Sequence, residues 1–374
     1  MKKRIAIVFG GNSVEHEISI LSMIQASYAI DKNCYDLINI YITKEGEFWV
    51  GPKFDQLQTF RKNQFKHYHV TFYKYRGRLY LKGITPFLPV KYRKPIDIVI
   101  PVVHGNNVED GSLAGYFNIL NVPYASSSVL VAALFQNKHF TKALLSINNI
   151  NVLPYFYFSF KQYKKDVFTV LENSVVLGFP LIIKPVSLGS SIGIKIAEDR
   201  DQLIKALNYV IKYDDEIIVE KKLINFRELN QAILKTESEY LLSNVEEVSS
   251  TNHYLTFDDK YLPVDSMREI PANITKEFEE EIGEISKKIA VIFKPKGVVR
   301  IDYLYDIDTE TLYVNEINSI PGSLSFYLFE GKLSFSILID KMINQAVKDK
   351  YEKGLKLTSF KSNVLLSNRQ MKKK

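Results

Sequence analysis

The distribution of apolar and polar positions divides the chain into short elements of changing period. Arg4–Phe9 is an almost continuous apolar run, the stretch from about Glu17 to Asp31 reads as a helix, and Leu37–Ile42 is a second strand-like run. Strand, helix and strand in that order open an α/β sheet. Asp97–Val103, DIVIPVV, is apolar at every position after Asp97, which predicts a parallel strand covered on both faces. Lys138–Ile147 reads as a helix, and a change of pattern over Asn151–Phe160 starts a new unit, with a boundary near Gln136. Pro180–Val186, PLIIKPV, is a strand with Lys184 in its interior; burying that charge alone is costly, so a partner is expected. A strand over Gly193–Ala197, an amphipathic helix over Arg200–Ile211, a strand over Glu216–Val219 and another through Leu234 follow. Ile274–Phe293 is a helix with acidic residues early and lysines later, as the helix dipole prefers. Val298–Tyr305 and Leu312–Ile317 are rich in β-branched and aromatic residues and flank an Asp/Thr/Glu turn, which predicts a hairpin. Leu333–Ala346 is a closing helix, and the polar stretch beyond Lys348 is expected to be loose.

A length of 374 residues exceeds one typical domain and points to two or three. Hydrophobic content of 46% and charged content of 24% are those of a soluble globular protein. The single cysteine, Cys34, excludes an internal disulfide framework and a thiolate zinc site, and suits a reducing compartment. The opening MKKRIAIVFGG has a basic head, but its apolar run is only Ile5–Phe9 and no small-residue cleavage site follows, so it reads as a first strand. No apolar stretch approaches the ~20 residues that span a bilayer. A cytoplasmic location without membrane insertion is the expectation. The net charge of +7 comes from scattered basic residues, with local density in the polar, aromatic segment Lys53–Lys82, where solvent-facing strands such as Arg78–Lys82 are expected. Compositional bias explains that charge as well as an anionic partner does, and no nucleic-acid partner is expected.

The candidate chemistry centres on the hairpin. Period-two alternation puts Arg300, Asp302 and Leu304 on one face of its first strand, and Glu316 and Asn318 on one face of the second. Two carboxylates, an amide and a guanidinium can converge there. Hard oxygen ligands suit Mg²⁺, which takes few protein ligands and keeps places for phosphate oxygens and water. An ordinary half-buried hairpin would carry similar residues. Pro321-Gly322 then turns the chain where a backbone N–H could face a substrate. Gly10, Gly11, Asn12 and Ser13 lie between a strand and a helix, a place that favours an anion or simply makes a turn. His104-Gly105 and Glu109, Asp110 and Gly111 follow a strand's carboxyl end, where ligands of open α/β sheets sit. The small loop Gly189–Gly193 joins two strands as a hairpin, and its amides and two hydroxyls are suited to phosphates. No G-x-x-x-x-G-K-[ST] occurs, so no P-loop holds a nucleotide. Strand lysines, a Gly-Ser loop and a carboxylate–amide site instead fit a nucleotide between two sheets beneath a lid.

Four blocks occur in order: GGNSVEHEIS, HGNNVEDGS, IIKPVSLGSSIGI, and RIDYLYD with VNEINSIPGS. In these the chain resembles, over nearly its whole length, the D-alanine:D-alanine ligases of the ATP-grasp superfamily. The resemblance implies an α/β protein with an open α/β N-terminal domain followed by a two-subdomain ATP-grasp fold. It divides the chain into residues 1–136, which bind substrate, 137–226 with the phosphate lid, 227–350 with the metal site, and a polar tail at 351–374. It implies ATP and Mg²⁺ or Mn²⁺, small-molecule substrates and a homodimer. Lys138 and Lys184 match lysines on the ATP phosphates, and Gly189–Gly193, with Ser191, matches the lid over them. Glu220 and Leu223 match the adenine hinge, and Glu228 the acid on the ribose hydroxyls. Asp302, Glu316 and Asn318 match the metal ligands. Glu15 matches the anchor of the first D-alanine's ammonium, with His104 beside that substrate. Ser190, Lys260 and Tyr261 match a network joining lid and covering loop, Tyr254–Tyr261. Arg300 and the Gly322 N–H match the donors to the tetrahedral intermediate. Val108 stands where many members have glycine, Ala114 where many have glutamine, and Tyr327 replaces a serine associated with the second substrate's carboxylate. The acceptor therefore stays open among D-alanine, D-serine, D-lactate or another amino acid, although Tyr261 favours an amine.

Overall fold

A computed structural model of the chain describes residues 2–61, 66–84, 86–249 and 267–357. Among them lie three sheets. The first contains β1 (Lys3–Gly10), β2 (Tyr35–Ile42), β3 (Phe48–Val50), β4 (Tyr68–Tyr75), β5 (Arg78–Gly83) and β6 (Ile98–Val103), in the order β5-β4-β3-β2-β1-β6. β1 pairs in parallel with β2 and β6 and is buried at every position from Arg4 onward, because helices cover both faces of its apolar run. β4 and β5 extend this sheet as an antiparallel pair. They are not simply solvent-facing as expected: Val70, Phe72, Leu79 and Leu81 turn one face into the core, while the basic and aromatic residues alternate outward.

The second sheet holds β7 (Tyr155–Ser159), β8 (Leu181–Pro185), β9 (Lys195–Ala197) and β10 (Glu216–Lys221), in the order β7-β10-β8-β9, and all its pairings are antiparallel. The hairpin β8–β9 carries the expected Gly-Ser loop, although β9 starts at Lys195 rather than Gly193. Helix Arg200–Val210 buries Leu203, Leu207 and Val210 against Leu181, Ile183 and Ile217. The third sheet, in the order β13-β12-β11-β14-β15, is built from β11 (Phe226–Lys235), β12 (Tyr240–Ser249), β13 (Met267–Glu269), β14 (Val298–Asp306) and β15 (Thr311–Asn318). Helix Lys276–Phe293, capped by Thr275 accepting the Phe278 N–H, packs Ile282, Ile289 and Phe293 on Leu229, Ile233 and Ile301.

The closing helix returns to the first sheet, where Leu338, Ile339, Met342 and Ile343 join the core of Ile5, Ile7 and Val99. It spans Phe335–Gly354 and so continues past Ala346 and across the expected start of the tail. The buried stripe stops near Ala346, which is why apolar periodicity ends there. Polar helix formers carry the remaining turns, with Gln345 donating to Asp349 at 2.8 Å, until Gly354 ends the helix.

Candidate active site

Three strand ends and one loop meet around a cavity of about 200 Å³. After β1 the chain turns through Gly11–Glu15. The Ser13 hydroxyl accepts the Glu15 N–H at 3.0 Å, and His16 Nδ1 lies 2.7 Å from the Gly11 carbonyl, which fixes the turn. Glu15 is thereby held, buried, at the cavity wall. Ser190, from the β8–β9 loop, donates its hydroxyl to Glu15 Oε1. Space there is tight. A Cβ on Gly189 would stand 3.0 Å from Glu15 Oε2, and one on Gly105, whose φ is +81°, would lie 2.3 Å from Ser13 Oγ, so Gly105 is required by both conformation and room.

His104, at the end of β6, hydrogen-bonds through Nδ1 to the Ile320 carbonyl at 2.7 Å and through Nε2 to Ser22 Oγ at 3.1 Å. A carbonyl only accepts, so Nδ1 carries the proton. Burial pushes the His104 pKa below the usual value despite the nearby Glu15 charge. In the neutral ring Nε2 accepts from Ser22, whose oxygen in turn accepts the Ser323 N–H at 2.8 Å. The loop after β15 is thus tied to the helix His16–Ala29 through one imidazole. Glu109 holds the same loop from the other side. It accepts the Ile320 N–H at 2.8 Å, the Ser319 hydroxyl at 3.1 Å and the Gly105 N–H at 2.9 Å. Burial, with the charge of Glu15, raises its pKa to about 7.

The hairpin is as expected. Arg300 faces Asn318 and Asp302 faces Glu316 across β14 and β15, with an irregularity after Asp302. Arg300 donates to both oxygens of Asp302, at 2.6 and 2.8 Å, and Asn318 Nδ2 donates to Asp302 Oδ2 at 3.1 Å. Burial opposes charge on Arg300, but the Asp302 carboxylate outweighs it and holds the guanidinium protonated. Asp302, Glu316 and Asn318 supply two carboxylates and an amide oxygen, donor types that fit a hard divalent cation. Gly322 and Tyr327 line the cavity with Arg300 and Asn318.

A buried triad lies under the second sheet. Glu220 is 2.9 Å from Lys142 Nζ and 2.6 Å from Lys184 Nζ, all three side chains being 7% exposed or less. The strand lysine therefore has its expected partner. Burial disfavours the Glu220 charge, but the two lysines more than compensate and lower its pKa. Burial lowers the pKa of Lys142. Lys138 donates to the Leu188 carbonyl at 2.5 Å, at the root of the Gly-Ser loop. Ser191, half-buried with φ of 58°, sits in that loop. Leu223 is half-buried just beyond β10. Glu228, on β11, lines the cavity beside Asn230 and Arg300.

Of the expected site residues, Glu15, His104, Glu228, Arg300, Asn318, Gly322 and Tyr327 share one cavity, and Ser190 reaches it through Glu15. Lys184 and Glu220 share the triad. Lys260, Tyr261 and the expected covering loop lie outside the described residues. Lys142, Ser22, Glu246 and Arg268 were not expected at the site. Lys142 stands four positions after Lys138 on one helix, a spacing that places both on one face and could have identified it. Arg268, on β13, carries no such signal.

Residues 4–127 match the family model for the D-ala D-ala ligase N-terminus, and residues 144–344 that for the D-ala D-ala ligase C-terminus. The chain belongs to the D-alanine–D-alanine ligase family. It is 35% identical over 371 residues to the D-alanine–D-alanine ligase of Thermosipho melanesiensis, covering 96% of this chain and 98% of that one. Its fold is similar to that of VanG D-Ala:D-Ser ligase from Enterococcus faecalis, with a TM-score of 0.79 and 30% identity over 92% of this chain and 100% of that one. The D-alanine–D-alanine ligase of Coxiella burnetii shares the fold at a TM-score of 0.79 and 24% identity, over 94% of this chain and 96% of that one. The ATP-grasp architecture of this ligase family accounts for the second and third sheets. Among the described residues no helix is long and apolar enough to cross a membrane.

Proposed function

We propose that this member of the family joins two D-alanines at the expense of ATP, through a D-alanyl phosphate. The observation that carries the reading is the cavity itself, where Glu15, Arg300 and Asn318 face one space, with Asp302 behind the last two as their shared acceptor. An amino acid is a zwitterion, and these groups complement both its ends. Glu15 takes the ammonium of the donor, leaving its carboxylate toward Arg300. That carboxylate attacks the γ-phosphorus of ATP; a P–O bond forms, the bond to the β-phosphate oxygen breaks, and ADP leaves. Lys138 and Lys184 offset phosphate charge in this step, Ser191 and its loop cover it, and Glu220, Leu223 and Glu228 position the nucleoside. Asp302, Glu316 and Asn318 would hold Mg²⁺ or Mn²⁺, which when bound neutralises phosphate oxygens.

The neutral amine of the second amino acid then attacks the acyl carbon. Arg300 and the Gly322 N–H stabilise the oxyanion, the C–O bond to phosphate breaks, and the departing phosphate takes up the amine's proton as the amide forms. His104 and Glu109 hold the Ile320–Ser323 turn that presents the Gly322 amide. Ser190, with Lys260 and Tyr261, closes the lid. This assigns substrate binding to residues 1–136, the lid to 137–226 and the metal site to 227–350, and suits cytoplasmic peptidoglycan precursor synthesis by a homodimer. The similarity to a D-Ala:D-Ser ligase, together with Tyr327, makes D-serine the second acceptor to consider. Phosphate release measured with ATP, Mg²⁺ and single or paired D-amino acids tests the reading. D-Alanine alone is expected to support turnover, and no D-alanine-dependent release would remove it.

A further inference from the structure

The proposed acceptor brings a carboxylate as well as an amine. The cavity it must enter is lined by Glu15, Glu109, Glu228 and Glu246, so a further negative charge there needs a cation. Among the described lining residues the permanent cations are Arg300 and Arg268. Arg300 already directs Nε and Nη2 at Asp302. Arg268 approaches from β13, the outermost strand of the third sheet on the side away from the hairpin. Its side chain is 39% exposed, against 18% for Arg300.

We infer that Arg268 takes the carboxylate of the acceptor amino acid, with Tyr327 and Glu246 holding its guanidinium in place. This rests on the ligase reading above. Arg268 Nη1 donates to the Tyr327 hydroxyl at 3.3 Å and stands 3.4 Å from Glu246 Oε1. Its Cζ lies 5.7 Å from the centre of the Tyr327 ring, so the ring supports the cation as well as bonding to it. Glu246 is itself anchored, since its Oε2 accepts from Asn230 Nδ2 at 3.0 Å in a fully buried setting. One end of the guanidinium is therefore oriented by the protein. A planar fork oriented in this way matches a carboxylate, where a flexible ammonium would meet it only as a point charge. Donor and acceptor then lie head to tail, with the donor ammonium at Glu15, the acceptor carboxylate at Arg268, and the reacting groups between them beside Arg300 and Gly322. Tyr327, the departure at the second-substrate position, becomes the support of a charge that reads the acceptor.

The test uses the full-length enzyme and its Arg268→Gln and Arg268→Lys variants, with D-alanine saturating the donor site. D-Alanyl-D-alanine and D-alanyl-D-alaninamide are quantified separately as D-alaninamide is added, because the donor D-alanine also serves as acceptor; the amide keeps the amine and loses the negative charge. Wild type is expected to prefer D-alanine by about 10- to 100-fold in kcat/KM, the range for a hydrogen bond to a charged group. Arg268→Gln is expected to abolish that preference by raising the acceptor KM, with donor KM and kcat nearly unchanged, and Arg268→Lys to restore part of it. A Gln variant that keeps the preference overturns the inference. So does a parallel rise in both KM values, which marks a structural role. No D-alanine-dependent phosphate release by wild type would overturn the ligase reading as well, and that control is read before any variant.

Discussion

Ser190, in the loop between β8 and β9, donates its hydroxyl to Glu15, which precedes the helix His16–Ala29, so one hydrogen bond joins the first sheet to the loop of the second across 175 residues. The proposed ammonium anchor and the proposed phosphate lid are thereby physically coupled. Ser190→Ala removes the link without touching the core. It is expected to raise the KM of the donor amino acid and of ATP together, each by about 10- to 100-fold, the range for one hydrogen bond to a charged group. Steady-state kinetics with each substrate varied in turn checks this, and a rise in only one KM would show that the link does not couple the sites.

Glu316→Gln keeps the shape of the hairpin and deletes one of the two carboxylates opposite each other at Asp302 and Glu316. Turnover is expected to fall by about 100-fold or more, with a rightward shift in the Mg²⁺ dependence, while the melting temperature changes little. Near-normal activity at ordinary Mg²⁺ would mean the metal site is misplaced.

Glu109 titrates near neutrality, with a pKa of about 7 in the fold against an ordinary carboxyl value of 4.5. Because the folded value is raised, the protonated folded form is favoured. That contribution is fully present below the ordinary carboxyl range and is lost as pH rises through about 7. The melting temperature is expected to decline over this window and level off above it. Glu109→Gln should flatten the decline while lowering kcat/KM, because its amide nitrogen would meet a backbone N–H at Gly105 or Ile320. Calorimetric scans from pH 4.5 to 8 on both proteins decide it.

Glu220 neutralises two buried lysines at once, and the members of the triad are not equivalent. Glu220→Gln leaves two uncompensated buried cations and is expected to cost about 3–5 kcal/mol of stability. Lys142→Met leaves the Lys184–Glu220 pair intact and should cost less. Urea unfolding of the two variants gives the order directly, and the reverse order would contradict the charge balance described here.

How far the sequence reached is clearest in the hairpin. Alternation along Val298–Tyr305 and Leu312–Ile317 placed Arg300, Asp302, Glu316 and Asn318 together, because the two strands are adjacent in the chain and a short turn sets their register. The run around Lys184 showed that the lysine needed a partner, but not which. Glu220 became that partner only when β8 and β10 paired antiparallel, and Lys142 joined them from a helix packed alongside. The same limit applies to Glu109 and Arg268. Glu109 meets Ile320, and Arg268 meets Glu246 and Tyr327, across more than twenty residues of sequence, and no local periodicity records such contacts.

By itself the sequence determined the periodic elements, the oxygen-rich hairpin and the Gly-Ser loop, since each depends on neighbours within a few residues. The tertiary structure decided that His104 and Glu109 grip the turn before Gly322, and that Arg268 stands beside Tyr327. Those arrangements depend on how segments far apart in the chain pack together. Burial then sets their energetics: removing water from His104, Glu109 and Glu220 makes each group's charge depend on partners that only the folded chain supplies.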